Sequence, residues 1–349
     1  MTTRPRLAVL GSLNMDISVS VGRLPGPGET ILGGQAVIAP GGKGANQAVA
    51  AARLGADTAM AGCVGEDEFG GPILLALATE GIETKGVRRL PGVSTGLALI
   101  TVSADGENMI TVAPGANGEC GPAEAEAALA GPPDLLVISA EIPPAAIAAA
   151  LAAAASRGVP TLLNLAPVPA NAAALLAAGV DWLVVNETEA AALTGEPVAG
   201  LPAAARAASV LQGQLVQGQL AAAGPAAARP AHVSGRAPSG LASAVPGTPG
   251  GRYAVVTAGS HGAALAGPDG TEQVPGFTVS SVDSVGAGDS FVAALAVGLA
   301  AGAAPAEALR AACAAGATAT TRRGAQTALP RPADVQAATG VTGPWPAEA

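Results

Sequence analysis

Asp283-Ser284-Val285-Gly286-Ala287-Gly288-Asp289-Ser290-Phe291 is the stretch from which this chain is read. The residues before it, 276–282, alternate apolar and polar side chains as a strand does. After it, residues 291–299 form a run of small apolar side chains that predicts a buried helix. The glycines therefore belong to a strand-to-helix turn, where the first N–H groups of the helix lack partners within it. Small residues let a ligand approach those donors, and the helix dipole adds positive potential. Such a turn suits an anion. Asp289 adds a carboxylate that would repel a passively held phosphate but can act as a base beside a reacting one, which points to group transfer onto a hydroxyl.

Glycine is frequent here, 48 of 349 residues, so one short glycine pattern needs support from the rest of the chain. Hydrophobic residues make up 50% and aromatics only 2%, which predicts a core of Ala, Val and Leu. A net charge of −9 argues against a nucleic-acid surface. The longest apolar run, 291–306, is interrupted by Gly298, Gly302 and Pro305 and is too short to span a membrane. The N-terminal apolar run is too short for a secretory signal, so a cytoplasmic location is expected. Cys63, Cys120 and Cys313 are far apart in sequence, and only His232 and His261 accompany them, so no structural zinc site is expected.

Short apolar runs at 7–11, 58–64, 135–139, 161–165, 182–185 and 254–257 read as buried strands, and 45–54 and 71–80 as helices. Residues 97–102 and 108–112 flank the turn signal Ala104-Asp105-Gly106-Glu107 and predict a hairpin. Strands alternating with helices predict a mostly parallel sheet covered on both faces, with ligands beyond the C-terminal strand ends. Asn14, Glu141, Asn186 and Asp283 each follow an expected strand. Residues 201–251 differ. Their first part, with a near-repeat at 211–220, can be helical; then they become an Ala, Gly, Pro and Ser tract, and the whole is read as an insertion that is flexible from about residue 221. His232 and Arg236 lie inside it and are given no catalytic role.

Asn14 and Asp16 can grip vicinal hydroxyls, or simply make an Asx turn. Gly41-Gly42-Lys43-Gly44-Ala45-Asn46 is a second glycine turn opening a helix, without the spacing of a Walker loop. The first strand lacks Gly-x-Gly-x-x-Gly, which disfavours a dinucleotide-binding dehydrogenase. Asn186-Glu187-Thr188-Glu189 suits either a hydrated Mg²⁺ or a helix N-cap. Thr257-Ala258-Gly259-Ser260-His261-Gly262 is a third glycine turn, placed to meet a nucleotide.

Taken in this order, the motifs resemble the ribokinase-type carbohydrate kinase family, over about residues 7–329 without the insertion. The resemblance implies an α/β fold: one three-layer α/β/α domain over 1–340 with a mostly parallel central sheet, and a small β-sheet lid from about 12–40 and 94–113. It implies that Asn14, Asp16, Gly42, Lys43, Asn46 and Glu141 hold a sugar, D-ribose in the nearest members, between apolar walls of Ala98, Ile100 and Val112. Asp289 would be the general base on the 5-hydroxyl, and the amides of Gly286, Ala287 and Gly288 the anion hole. ATP, as co-substrate, would meet Asn186, Thr257, Gly259, Gly262, Gly288 and Cys313. Potassium would sit with Asp283, Val285, Thr320, Arg323 and Gly324, and Mg²⁺ near Glu189 through water. The lid would also join two copies in a homodimer. Cys313 stands where many members carry a histidine. Alternatives are a family member acting on deoxyribose, a ketohexose or adenosine, and a non-catalytic sugar or nucleotide sensor.

Overall fold

The computed structural model describes residues 4–104, 107–222 and 251–346. In chain order the strands are β1 (Arg6–Leu10), β2 (Asn14–Val21), β3 (Val37–Gly41), β4 (Asp57–Gly65), β5 (Glu83–Leu90), β6 (Gly96–Ser103), β7 (Asn108–Ala113), β8 (Leu135–Ser139), β9 (Thr161–Asn164), β10 (Trp182–Asn186), β11 (Tyr253–Thr257), β12 (Gly262–Gly267) and β13 (Gly270–Pro275). The helices are α1 (Lys43–Arg53), α2 (Gly70–Thr79), α3 (Pro122–Ala128), α4 (Pro144–Arg157), α5 (Ala172–Ala177), α6 (Glu187–Thr194), α7 (Gly200–Ala222), α8 (Ala287–Ala300), α9 (Pro305–Ala319) and α10 (Pro332–Thr339).

Nine strands form the large sheet, in the order β13-β12-β11-β10-β9-β8-β1-β4-β5. Its pairs from β11 to β5 are parallel, and β12 and β13 are antiparallel additions at one edge. All five residues of β8 are buried, as a continuous apolar strand between two helical layers requires. One layer, containing α1, α8 and α9, packs its small side chains against Leu7, Val9, Val137 and Trp182. The other, containing α4 and α7, packs against the alternate residues Ala8, Leu10, Leu136 and Ile138. Helix α4 shows the local logic: Pro144 opens it, Ala146, Ile147, Ala150, Leu151 and Ala154 are its buried face, and Gly158 closes it in the left-handed region.

From β1 the chain moves through β4 and β5 to one side, and from β8 through β11 to the other. The β1/β8 boundary is therefore a topological switch point, with a crevice beyond the strand ends. A second sheet, β3-β2-β6-β7, stands apart from the large one, as the resemblance implied. The expected 97–102/108–112 hairpin is its antiparallel β6–β7 pair; Asp105 and Gly106 of the turn lie outside the described residues. No described helix is long and apolar enough to cross a membrane.

Two expectations need correction. Residues 276–282 form no strand; the edge strand is β13, immediately before them. Phe277 and Val279 are partly covered while Thr278 and Ser280 are exposed, so the alternation reflects a one-sided resting surface, not a ladder. The N–H groups of Val282 and Asp283 instead both donate to the Thr320 carbonyl. The proposed 201–251 insertion also begins too early. Ala204, Ala208, Leu211 and Leu215 are buried, which makes α7 a layer helix. Residues 223–250, with His232 and Arg236, lie outside the described residues.

Gly11 and Gly44 let β1 and α1 meet backbone to backbone. A Cβ on Gly44 would lie 2.7 Å from Gly11 C and Ser12 N. Gly44→Ala should therefore destabilise by about 1–3 kcal/mol through overpacking, which outweighs the roughly 1 kcal/mol gain in helix propensity. A lower urea midpoint at unchanged slope is the expected result, and an unchanged midpoint would show that the β1 loop yields.

Candidate active site

The small sheet presents its polar residues in rows. Asn14 lies opposite Gly41 and Gly96; Asp16 lies opposite Ala39 and Ala98, and Ala98 opposite Val112. Ile100 stands one row further, between Ser18 and Ile110. Asn14, Asp16, Ala98, Ile100 and Val112 thus share one face. Gly41 is required there, because a Cβ would stand 2.0–2.5 Å from the Asp16 carboxylate atoms. Asn14 is buried, and its Oδ1 accepts from Asn117 Nδ2 at 2.7 Å. Asn117 also bonds both the N–H and the carbonyl of Leu13. With its oxygen engaged by Asn117, Asn14 has its NH₂ left to offer a ligand.

At the switch-point crevice, Gly42 turns the chain at φ +88° into α1. Ser12 Oγ donates to Glu141 Oε2 at 2.6 Å, and the Lys43 backbone N–H donates to the same oxygen at 3.3 Å. Lys43 Nζ lies 3.9 Å from Glu141 Oε1. Burial alone would weaken the hold of this ammonium on its proton. The carboxylates of Asp289, Glu141, Glu189 and Asp16 outweigh it together and raise its pKa. Asp16 is pushed up to about 6, first by burial and then by Glu141 and Asp289, against the pull of Lys43. One lysine therefore pairs with Glu141 and lies in the field of three further carboxylates, Asp16 of β2, Glu189 of α6 and Asp289 of α8.

Asp289, in the first turn of α8, is only 8% exposed. Its Oδ2 accepts from Asn46 Nδ2 at 2.9 Å and its Oδ1 from Gln47 Nε2 at 3.1 Å. Burial raises its pKa most, opposed by Lys43, Asn46 and Gln47, while Glu141 adds to the rise. Beside it, Gly286 caps α8 at φ +77°, a left-handed conformation suited to glycine. The Ala287 N–H donates to Ser284 O at 3.2 Å, so this candidate anion-hole donor is already partly engaged. Gly288 faces open space: nothing would touch a Cβ there within 4 Å.

Asp283 is a stitch. Its Oδ1 accepts from Val285 N at 3.0 Å and its Oδ2 from Gly324 N at 2.9 Å, while its own N–H reaches Thr320 O. The Arg323 carbonyl accepts from Thr327 Oγ1 at 2.8 Å. The residues assigned to potassium are thus gathered in one loop pair. Asn186 and Glu189 form a capping box on α6: Asn186 Oδ1 accepts from Glu189 N at 2.9 Å, and Glu189 Oε2 accepts from Asn186 N at 2.8 Å. Thr257 ends β11. Gly259 has open space above it, whereas Gly262 is demanded by packing, since a Cβ would lie 2.0 Å from Val274 O. Cys313 is buried in the layer that holds α8 and α9, and burial pushes its thiol up to about 12.

Four contributors escaped the sequence reading as side chains with roles: Ser12, Gln47, Asn117 and Asn164. A polar residue ending an apolar strand, as Asn164 does in Thr161-Leu162-Leu163-Asn164, is the signal available for one of them. The fold also brings Cys63 and Cys120, 57 residues apart by number, to within 4.8 Å of each other and of Glu124. This cluster does not need a cation for charge balance. Both Glu124 oxygens are engaged, by Arg88 Nε at 2.6 Å and Gly121 N at 2.7 Å.

A family model described as pfkB family carbohydrate kinase matches residues 4–222 and 227–332. The chain belongs to this family. It is accordingly an ATP-dependent phosphotransferase acting on a carbohydrate hydroxyl. Among relatives of this carbohydrate kinase, a ribokinase of Haemophilus influenzae is 34% identical over 330 residues, covering 94% of this chain and 96% of its own. A deoxyribokinase of Salmonella typhimurium is 31% identical, covering 82% of this chain and 83% of its own. Among solved structures, an Arabidopsis thaliana ribokinase complexed with ribose and ATP aligns with a TM-score of 0.73 at 29% identity, covering 96% of this chain and 98% of that one.

Proposed function

We propose that this carbohydrate kinase is a ribokinase, transferring the γ-phosphoryl group of ATP to the 5-hydroxyl of D-ribose. The observation that carries the reading is the placement of the buried Asp289 carboxylate. It is bonded to Asn46 and stands in the same turn as Gly286–Gly288, within electrostatic reach of Asp16 and Glu141. Asp16, Glu141 and the Asn14 and Asn46 amides hold the sugar hydroxyls, with Gly42 and Lys43 at the turn and Ala98, Ile100 and Val112 as apolar walls. Asp289 takes the hydroxyl proton as the oxygen attacks the γ-phosphorus and ADP leaves. The N–H groups of the glycine turn meet the charge on the transferring group. Asn186, Thr257, Gly259, Gly262 and Cys313 form the nucleotide side.

The Asp283 carboxylate and the carbonyls of Val285, Thr320, Arg323 and Gly324 are oxygens of the kind potassium takes. The ion would share Asp283, Thr320 and Arg323 with the hydrogen bonds they already accept and steady the glycine turn by its charge. Glu189, its carboxylate already held by Asn186, fits Mg²⁺ through water, and that ion would neutralise phosphate charge. The small sheet acts as a lid that keeps water out. Its opposite face carries Ile38, Leu99 and Met109, each about half exposed, which suits pairing with a second copy.

Deoxyribose is the second reading, because a deoxyribokinase is among the relatives. Asp16 favours ribose, as a carboxylate is an acceptor suited to a pair of adjacent hydroxyls. Steady-state phosphorylation of ribose, deoxyribose, fructose and adenosine with Mg-ATP, with and without potassium, tests the assignment. Selective turnover of ribose that rises with potassium is expected. Preference for another acceptor would overturn the sugar, and indifference to potassium would overturn the cation site.

A further inference from the structure

Gln47 is 1% exposed, and its Nε2 faces two acceptors at once: Asp289 Oδ1 at 3.1 Å and Asn164 Oδ1 at 3.0 Å. Asn164 is itself oriented, because its Nδ2 donates to the Val184 carbonyl of β10 at 3.3 Å. That bond turns the oxygen of Asn164 toward Gln47. With two oxygens facing it, the Gln47 amide has one acceptable orientation, nitrogen toward Asp289. Its own Oε1 is buried without a partner, so this orientation is imposed by the acceptors and not by a bond to the oxygen end.

We propose that Gln47 is a positioning residue for the reaction: with Asn164 and the β10 carbonyl behind it, it fixes the Asp289 carboxylate for proton abstraction. The inference rests on the reading of Asp289 as the base. Asn46 holds one carboxylate oxygen and Gln47 the other, which sets the plane of the group. The remaining lone pairs are left for the sugar hydroxyl. Both amides also favour the charged form in a place where burial disfavours it. The other charged groups facing Asp289 are Lys43 from α1, Glu141 beyond β8 and Asp16 from β2. Lys43 favours ionisation and the two carboxylates oppose it. Gln47 therefore acts with Lys43 to keep the base usable near neutral pH.

The test is the pH profile of kcat at saturating ribose and Mg-ATP. Saturation removes the contribution of Asp16 to sugar binding. In Gln47→Met the acid limb should move upward by about one pH unit, which lowers kcat about tenfold on that limb and lets it recover at high pH. Asn164→Leu, which frees the Gln47 amide, should shift the limb in the same direction by less. A purely structural role would lower kcat by one factor at every pH, and that result would overturn the inference. So would a wild-type profile in Gln47→Met while Asp289→Asn is inactive. An active Asp289→Asn would instead overturn the base assignment beneath it. If Gln47→Met melts out, Asn164→Leu and Gln47→Glu decide. The added carboxyl should push the limb further upward, and unmoved limbs in both variants reject the role.

Discussion

Asp289→Asn should still bind ribose but turn over about 10³-fold more slowly than the wild type, the scale expected when a general base is removed. The substitution keeps size and shape, so the helix turn and the small sheet stay in place. What changes is chemical. The carboxylate now accepts from Asn46 on one oxygen and from Gln47 on the other. An asparagine can offer its oxygen to only one of those donors, and its NH₂ opposes the second. No proton acceptor remains at the hydroxyl. The anion-binding turn and the nucleotide side are untouched, so residual activity reports what positioning and charge stabilisation contribute without a base. Ribose titration calorimetry together with kcat makes the measurement. Turnover within a few-fold of wild type would remove Asp289 from the reaction.

The second large effect concerns Asp16. Asp16→Asn should lower kcat/KM for ribose by about 10²–10³-fold and for 2-deoxyribose much less, because a site built around a hydroxyl loses most on the substrate that carries it. The ratio between the two sugars then collapses. Equal losses on both would move Asp16 away from the diol. The same variant has a signature in stability. The Asp16 pKa is raised in the fold to about 6 from 3.8, so the folded state takes up its proton before the unfolded chain does. This charged carboxylate therefore costs stability above pH 6, and the cost fades as pH falls through about 6 toward 3.8. Asp16→Asn should be the more stable protein at pH 8, by about 1–3 kcal/mol, and lose that advantage near pH 4. An unfolding midpoint below wild type at pH 8 would show that Lys43 compensates the charge fully.

The sheet was legible where physics is local. The continuous apolar runs of β8 and β10 read correctly because a strand buried on both faces leaves no other pattern. Residues 276–282 misled because alternation reports one covered side and says nothing about a hydrogen-bonding neighbour. The antiparallel edge was missed because β12 is Gly- and Ala-rich and β13 is largely exposed. The glycine turns at 41–44 and 286–288 announced themselves, since chain reversals at helix starts demand small residues. Asn117 and Gln47 did not. Their meaning lies in bonds to Leu13 and Asn164, 104 and 117 positions away, which no window along the chain contains.

The joints between the two sheets have a mechanical consequence. Only residues 11–13 separate β1 from β2, and Gly42 alone separates β3 from α1. Three residues span at most about 10 Å even when fully stretched. The small sheet is thus hung at the end where Asn14 lies, on these two short leashes together with residues 91–95 before β6 and Pro114 after β7, while the far tip of the β6–β7 hairpin has none of them. Any rocking of the small sheet would pivot near Asn14 and sweep widest at the distant tip. A substitution near Ser103 or Asn108 should therefore govern how fast the mouth opens, and one at the leash should govern whether the sugar lands in register.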